Sequence, residues 1–179
     1  MKINKGVVIG VATLYIITGP AGVGKSTISR KIAEIKSKSA LIEGDEIYHQ
    51  VVGGYESPWK KGNHLDLFWK ICIDTISNYL ESDYDVIFNY IVGLDNLEML
   101  KEKFSNYDIK FIVLLVDEKT LLKRDKQRPL DWQMGERCIV LLNSFKNKGY
   151  QEKHILDTSN ITIDETLEII LSETRFNIE

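Results

Sequence analysis

The chain has 179 residues, a length typical of one folded domain around a single hydrophobic core. Apolar residues make up 44% and charged residues 27% of the sequence, which is the balance of a globular protein and excludes a disordered tail or a fibre. Lys and Arg total 23 against 26 Asp and Glu, a net charge of -3, and no dense basic run is present. This charge pattern predicts that nucleic acid is not a partner.

The cysteines and the N-terminal segment bear on location. Cys72 and Cys138 form no Cys-x-x-Cys pair and the histidines are scattered, which predicts reduced thiols in a cytoplasmic protein without a structural metal. An apolar run over residues 7–18 leads directly into a glycine-rich segment without a cleavage site, which argues against a secretion signal. Residues 1–10 are interpreted as a disordered extension or as upstream sequence. No stretch is long and apolar enough to predict a membrane span.

Strand-like and helix-like segments alternate along the chain, which predicts a mainly parallel sheet with helices on both faces. Runs of branched apolar residues predict the strands, and apolar residues at helical spacing predict the helices between them. In chain order the predicted elements are a strand over 14–18, a helix over 24–36, a strand over 40–43, a helix over 65–80, a strand over 86–90, a helix over 94–104, a strand over 110–116, helices over 118–126 and 133–146, a strand over 154–157 and a helix over 164–171. The sequence therefore predicts one α/β domain over residues 1–179.

A phosphate-binding pattern, G-x-x-x-x-G-K-[ST], lies between the first predicted strand and the first predicted helix. Its glycines allow backbone N–H groups to converge on phosphate oxygens, and the helix presents its positive end to the same anions. Lys25 is expected to reach the outer phosphates, and Ser26 to coordinate Mg²⁺ with Thr27 beside it. The predicted nucleotide-binding residues of this loop are Gly19, Ala21, Gly22, Val23, Gly24, Lys25, Ser26 and Thr27.

The predicted nucleotide is ATP rather than GTP. A guanine site of the GTPase type would need an Asn-Lys-x-Asp segment, whereas Asn147-Lys148 continues here with Gly149-Tyr150. The cofactors expected from the loop are therefore ATP and Mg²⁺.

The chain resembles the small-molecule kinase branch of P-loop proteins, which contains gluconate kinase, shikimate kinase and chloramphenicol phosphotransferase, and it looks most like proteins labelled gluconate kinase-like. The segments that carry the resemblance are residues 19–27, Ile42-Glu43-Gly44-Asp45 and residues 121–137. The resemblance implies a three-layer P-loop kinase fold with a five-stranded sheet. It also implies transfer of the ATP γ-phosphate to a hydroxyl of a small molecule.

Asp45 follows the second predicted strand, where these kinases place an aspartate that faces the substrate hydroxyl. The resemblance implies that Asp45 orients that hydroxyl and accepts its proton. An alternative role is that of N-cap for a helix that follows.

Arg124 and Arg128 lie four residues apart in residues 124–137, a segment that resembles the lid of these kinases. In the lid, arginines close over the phosphates and offset charge on the transferred group, which makes both residues catalytic candidates and Arg124 a nucleotide-binding candidate. Arg137 is a weaker member of the same group. The alternative is a solvated helix end that pairs with Asp125 or Asp131.

The acceptor is the least determined part of the prediction. Residues 47–69 follow Asp45 and are rich in aromatic residues, so they are predicted to frame the acceptor pocket, although core packing is the favoured explanation for any single aromatic. No arginine occurs between Arg30 and Arg124 to clamp a phosphate or carboxylate. The acceptor is therefore left open among a sugar acid, polyol, nucleoside or antibiotic, with neutral or weakly anionic compounds favoured.

Asn89 ends the third predicted strand, where the family often has an acidic residue that helps to hold Mg²⁺ through water. Together with the missing acceptor arginines, Asn89 motivates an alternative function, an ATP-binding regulatory or interaction module without phosphoryl transfer. A monomer or a homodimer is expected for either function.

Overall fold

The computed structural model describes residues 12–60 and 62–178, and its sheet has five strands that all pair in parallel. The strand order is β2-β3-β1-β4-β5, which places β1 in the centre. Parallel strands of this kind are covered on both faces by helices, which accounts for their continuous apolar runs. The strands are β1 (Thr13–Thr18), β2 (Ser39–Glu43), β3 (Asp85–Asn89), β4 (Asp108–Leu115) and β5 (Ile155–Asp157).

Helices connect the strands, and each turns an apolar face to the sheet or to a neighbouring helix. Ile28 and Ile32, one turn apart on the first helix, are buried, and so are Leu167 and Ile170 on the last. A fully buried aliphatic side chain stabilises the fold by about 1.5–3 kcal/mol relative to its exposed state. The helices are α1 (Lys25–Ile35), α2 (Gly44–Tyr48), α3 (Asn63–Glu81), α4 (Leu94–Lys103), α5 (Glu118–Asp125), α6 (Glu136–Lys146) and α7 (Ile163–Ser172).

The predicted α/β architecture is confirmed, because all five predicted strands and the longer predicted helices are present. The helix predicted from residue 133 begins at Glu136, since Gly135 has a φ of 55° that interrupts a helical path. Residues 1–10, predicted as an extension, lie outside the described residues. Within the described residues, no helix has the length and apolar character that crossing a membrane requires.

Short helix α2 was not assigned from the sequence, and its position corrects one expectation. The helix begins at Gly44, and its N-cap is Glu43. Asp45 therefore lies in the first helical turn, where a carboxylate interacts favourably with the helix dipole. The alternative role of Asp45, as the N-cap of this helix, is therefore wrong.

The register of the sheet brings the carboxyl ends of three strands together. Asn89 of β3 is paired with Ile17 of β1 on one side and with Glu43 of β2 on the other. Side chains that end these strands are therefore neighbours although they are far apart in sequence. In open parallel sheets, ligands bind at this edge.

Lys110 of β4 closes the C-terminal end of α7. Its ammonium group donates hydrogen bonds to the carbonyl oxygens of Ile170, Leu171 and Glu173 at 2.9, 3.2 and 3.1 Å. The last carbonyls of a helix have no partner within the helix and carry its negative dipole end. Lys110 thus fixes α7 to the sheet by charge as well as by hydrogen bonding.

Replacement of this ammonium should measurably destabilise the fold. We expect Lys110→Met to lower the free energy of unfolding by about 1–3 kcal/mol, because the charged donor to the last carbonyl oxygens of α7 is lost. Lys70→Met, on the exposed side of α3, is the control and should change it by less than about 0.5 kcal/mol. Urea denaturation of both variants measures the difference, and equal stabilities would contradict the capping role.

Candidate active site

The loop between β1 and α1 has a backbone that requires glycine. Gly19, Gly22 and Gly24 have φ angles of 147°, 85° and 102°, which side-chain-bearing residues rarely adopt. A Cβ atom on Gly19 would also lie 2.4 Å from the carbonyl oxygen of Leu114 on the neighbouring strand β4. The loop is therefore held close against the sheet by its first glycine.

The N-terminus of α1, which follows this loop, is open to an anion. Its N-cap is Gly24, no side chain caps it, and its first turn contains no acidic residue. The first N–H groups of a helix lack partners within the helix and carry its positive dipole end. This helix end is suited to phosphate.

A cavity of about 520 Å³ lies over the loop and the N-terminus of α1. A volume of this order is typical of small-molecule sites. Apart from Gly19, which lies against β4, the structure brings every predicted site residue to this cavity; its lining includes Ala21, Gly22, Val23, Gly24, Lys25, Ser26, Thr27, Asp45, Arg124 and Arg128. Arg137 is exposed and lies outside the lining.

Lys25 is folded back onto the loop, where its ammonium donates a hydrogen bond to the Pro20 carbonyl oxygen at 3.0 Å. Burial lowers the pKa of Lys25 to about 8, while the nearby carboxylate of Asp45 acts in the opposite direction. A half-buried cation with one neutral hydrogen-bond acceptor is incompletely compensated. An anion in the cavity would complete its environment.

Ser26 lies beside a carboxylate that the sequence analysis did not single out. Asn89 Nδ2 donates to Ser26 Oγ at 2.9 Å and also to the carboxylate of Glu43, and Ser26 Oγ lies 3.5 Å from Glu43 Oε2. Burial raises the pKa of Glu43. Asn89 Oδ1 is buried and has no hydrogen-bond partner among the described residues. The Ser26 hydroxyl, the Glu43 carboxylate and the Asn89 amide, which belong to three different elements, thus meet at one point.

Asp45 reaches the cavity because α2 begins immediately after β2. Gly44, its first residue, packs against the ring of Tyr90, where an added Cβ would lie 2.5 Å from a ring carbon. Asp45 is itself exposed. Its carboxylate is therefore accessible beside Lys25 and Arg128, which line the same cavity.

Arg124, in the last turn of α5, connects two loops that border the cavity. Its guanidinium donates to the carbonyl oxygen of Val23 at 2.7 Å, and to the carbonyl and hydroxyl oxygens of Thr158 at 3.0 and 3.2 Å. Thr158 directly follows β5. Arg124 is not paired with Asp125 or Asp131. Its contact with a phosphate stays a prediction.

Arg128 lies beyond the end of α5 and is paired with Asp125 at 3.4 Å. Asp125 is 2% exposed and also accepts hydrogen bonds from the backbone N–H groups of Met134 and Gly135, at 3.0 and 2.8 Å. Burial opposes its charge, but these N–H groups and Arg128 outweigh burial and lower the pKa of Asp125. Asp125, which the sequence analysis considered only as a surface partner, therefore fixes from inside the segment that was predicted to be a lid.

The predicted acceptor region, residues 47–69, contains both core and exposed aromatic residues. Tyr48 is buried, stacks on His64 with ring centroids 4.1 Å apart, and donates to the Glu56 carbonyl oxygen at 3.0 Å. His64 accepts from the Glu56 N–H and contacts the Tyr48 carbonyl at 3.1 Å. Tyr55 and Trp59 are exposed. The segment is thus anchored through its core residues, with its other aromatic residues facing outward.

No protein-family profile and no curated protein matches the chain. Among solved structures, the tunicamycin resistance protein of Deinococcus radiodurans is similar over 90% of this chain and 94% of its own, with a TM-score of 0.67 and 17% identity. A gluconokinase from Sinorhizobium meliloti 1021 is similar over 91% of both chains, with a TM-score of 0.64 and 16% identity. A chain of the Pnkp1/Rnl/Hen1 RNA repair complex is matched over 83% of this chain but 49% of its own, with a TM-score of 0.60 and 22% identity.

At these identities the likeness is one of fold. The parallel five-stranded sheet with its helices is consistent with the α/β fold of these P-loop kinases. The chain has the α/β fold of the P-loop kinases.

Proposed function

We propose that the chain is an ATP-dependent kinase that transfers the γ-phosphate to a hydroxyl of a small molecule. The observation that carries the proposal is the meeting of Asp45 with Lys25 and Arg128 at one cavity over the phosphate-binding loop. A phosphate site alone requires only the loop and the lysine. The exposed carboxylate of Asp45 beside that site can accept the proton of an acceptor hydroxyl.

The loop and helix α1 bind the triphosphate in this proposal. Backbone N–H groups of the loop and the open N-terminus of α1 surround the β- and γ-phosphates, while Lys25 exchanges the Pro20 carbonyl for a phosphate oxygen. Arg128 offsets the charge on the transferred group. Arg124 holds the loop at Val23 and borders the nucleotide.

The residues around Ser26 fit Mg²⁺, which prefers oxygen ligands and keeps several of its waters. Ser26 Oγ and the Glu43 carboxylate would hold the ion, and Asn89, whose Nδ2 donates to both, would keep them in position. When bound, the metal neutralises charge on the phosphates. The Glu43 carboxylate supplies the negative charge that Asn89 lacks, which weakens the case for a regulatory module without transfer chemistry.

Asp45 completes the reaction from the acceptor side. It orients the acceptor hydroxyl and accepts its proton as the oxygen bonds to the γ-phosphorus and the bond from phosphorus to the ADP oxygen breaks. ADP leaves with that electron pair. The exposure of Asp45 allows the proton to pass to solvent after transfer.

Labelling of an acceptor tests this function. The protein is incubated with γ-labelled ATP, Mg²⁺ and a metabolite extract, and labelled products are identified by mass spectrometry. We expect a labelled small molecule, and we expect Asp45→Asn to slow its formation by about 10²–10⁴-fold with unchanged ATP affinity, because general-base assistance is lost. Asp74→Asn, on the exposed side of α3, is the control and should transfer phosphate at the normal rate.

Full transfer by Asp45→Asn would refute the role of that carboxylate. ATP affinity without any labelled product, together with a protein partner captured only in the ATP state, would instead support the regulatory module.

The metal assignment is tested separately through Glu43. We expect Glu43→Gln to raise the Mg²⁺ concentration for half-maximal binding of a fluorescent ATP analogue by about 10–100-fold, as is typical when a group that supports a metal site is removed. Glu46→Gln, an exposed neighbour on α2, is the matched control and should leave that concentration unchanged. Equal Mg²⁺ requirements for Glu43→Gln and the unaltered protein would remove Glu43 from the site.

A further inference from the structure

Tyr90, the residue after β3, is a buried side chain that the proposed chemistry does not yet use. It is 7% exposed, and its ring lies against Phe68 and Trp69 of α3, with centroids 4.5 and 5.7 Å apart. Gly44 packs on the other side of the ring. These contacts fix the position of the ring at the start of α2, next to Asp45.

The hydroxyl of Tyr90 makes no hydrogen bond to any described residue, although the ring is more than nine-tenths buried. Two other buried tyrosines behave differently: Tyr48 donates to the Glu56 carbonyl oxygen at 3.0 Å, and Tyr150 donates to that of Val92 at 2.8 Å. Tyr90 keeps a small exposed fraction, so its side chain is not sealed off from solvent. A buried tyrosine normally satisfies its hydroxyl, and this one is available to a ligand.

Among the described residues, the side chains that pack against the Tyr90 ring offer no positive charge to an anion. Burial raises the pKa of Tyr90, and the carboxylate of Asp45 adds to that effect. The rings that pack against Tyr90, those of Phe68, Trp69 and Phe88, carry no charge. An anionic group bound beside the Tyr90 hydroxyl would lie close to the Asp45 carboxylate, and like charges repel at a partly buried site.

The position of Tyr90 is on the side of Asp45 that an acceptor must use. Successive residues at the end of a strand point to opposite faces of the sheet, so Asn89 contacts Ser26 while Tyr90 packs against α3. In phosphoryl transfer the attacking oxygen and the leaving oxygen lie roughly in line on opposite sides of phosphorus. With ADP over the loop, the acceptor enters from the side of Asp45 that faces Tyr90.

We propose that the Tyr90 hydroxyl is an acceptor-binding group and that the acceptor is an uncharged hydroxyl compound. This inference rests on the proposed kinase function. Asp45 contacts the reacting hydroxyl, and Tyr90 hydrogen-bonds to a second oxygen or nitrogen of the same molecule. His49 lies one turn beyond Asp45 and its ring contacts the Asp45 carbonyl oxygen, and the ring of Tyr55 stacks on it with centroids 5.8 Å apart. Such exposed rings are suited to the apolar face of a sugar or base.

Paired probes that differ in charge test the acceptor class. Phosphorylation by the full chain with ATP and Mg²⁺ is measured for glucose against gluconate, ribose against ribonate, and thymidine against thymidine monophosphate. We expect at least one uncharged probe to be phosphorylated with a kcat/KM at least tenfold above that of its anionic counterpart. Two outcomes would overturn this inference and leave the proposed function intact. One is a preference for the anionic members of the pairs, and the other is phosphorylation of an extract component while no uncharged probe is phosphorylated.

Tyr90→Phe tests the binding role on the best uncharged probe, because it removes only the hydroxyl and retains the ring. We expect the KM for that probe to rise at least tenfold, with the KM for ATP within twofold and the melting temperature unchanged or higher. Tyr150→Phe is the matched control: it removes a bonded hydroxyl, so its melting temperature should fall and its acceptor KM should stay the same.

An unchanged acceptor KM in Tyr90→Phe would overturn the binding role, and a fall in its melting temperature would assign the hydroxyl to structure instead. Failure of the unaltered protein to phosphorylate any probe or extract component would contradict the proposed function itself, and this inference with it.

Discussion

The parallel pairing of β2, β3 and β1 is the constraint on which the candidate site depends. Each strand ends at the same edge of the sheet, and the register pairs Asn89 with both Ile17 and Glu43. The phosphate-binding loop follows β1, Asp45 follows β2, and Asn89 and Tyr90 lie at the end of β3. Three segments that are distant in sequence are thereby placed side by side at one edge of the sheet. A change of register by one residue would separate them.

The alternation of side chains at the end of β3 divides this edge into two halves. Asn89 turns toward Ser26 and the proposed metal, whereas Tyr90 turns toward α3 and the proposed acceptor. Asp45 stands at the boundary, exposed on a short helix whose first residue rests on the Tyr90 ring. The lid segment borders the same cavity through Arg128, and the buried Asp125 carboxylate holds that segment by its backbone N–H groups. Positioning and charge, which dominate phosphoryl transfer, are thus provided by the ends of rigid elements.

Much of this arrangement follows from local sequence. The loop after β1 depends on glycines whose backbone angles other residues rarely adopt, and the strands depend on apolar runs of branched residues. Both are therefore predictable without tertiary information. Helix α2 is not, because its five residues are too few to show a helical period. The start of α6 at Glu136 depends on the backbone angle of Gly135, which the apolar pattern does not contain.

Sequence reasoning missed which side chains of the site contact each other. Glu43 becomes a candidate metal ligand only when β2 is known to lie beside β3 in a defined register. The burial of Asp125 depends on the return of the chain at Met134 and Gly135, so its spacing from Arg128 alone suggested a surface pair. Arg124 and Arg128 were grouped by their spacing, yet one joins two loops and the other pairs with a buried carboxylate, since α5 ends between them.

Equilibrium binding of Mg-ATP to Lys25→Ala tests most directly the claim that the loop after β1 binds the triphosphate. Lys31→Ala, an exposed lysine of the same helix that pairs with Glu34, is the control. We predict that Lys25→Ala loses at least about tenfold in affinity, because the charged partner of the outer phosphates is removed at a cost of about 1.5–3 kcal/mol, while Lys31→Ala binds normally. Unchanged affinity of Lys25→Ala for Mg-ATP would contradict the account.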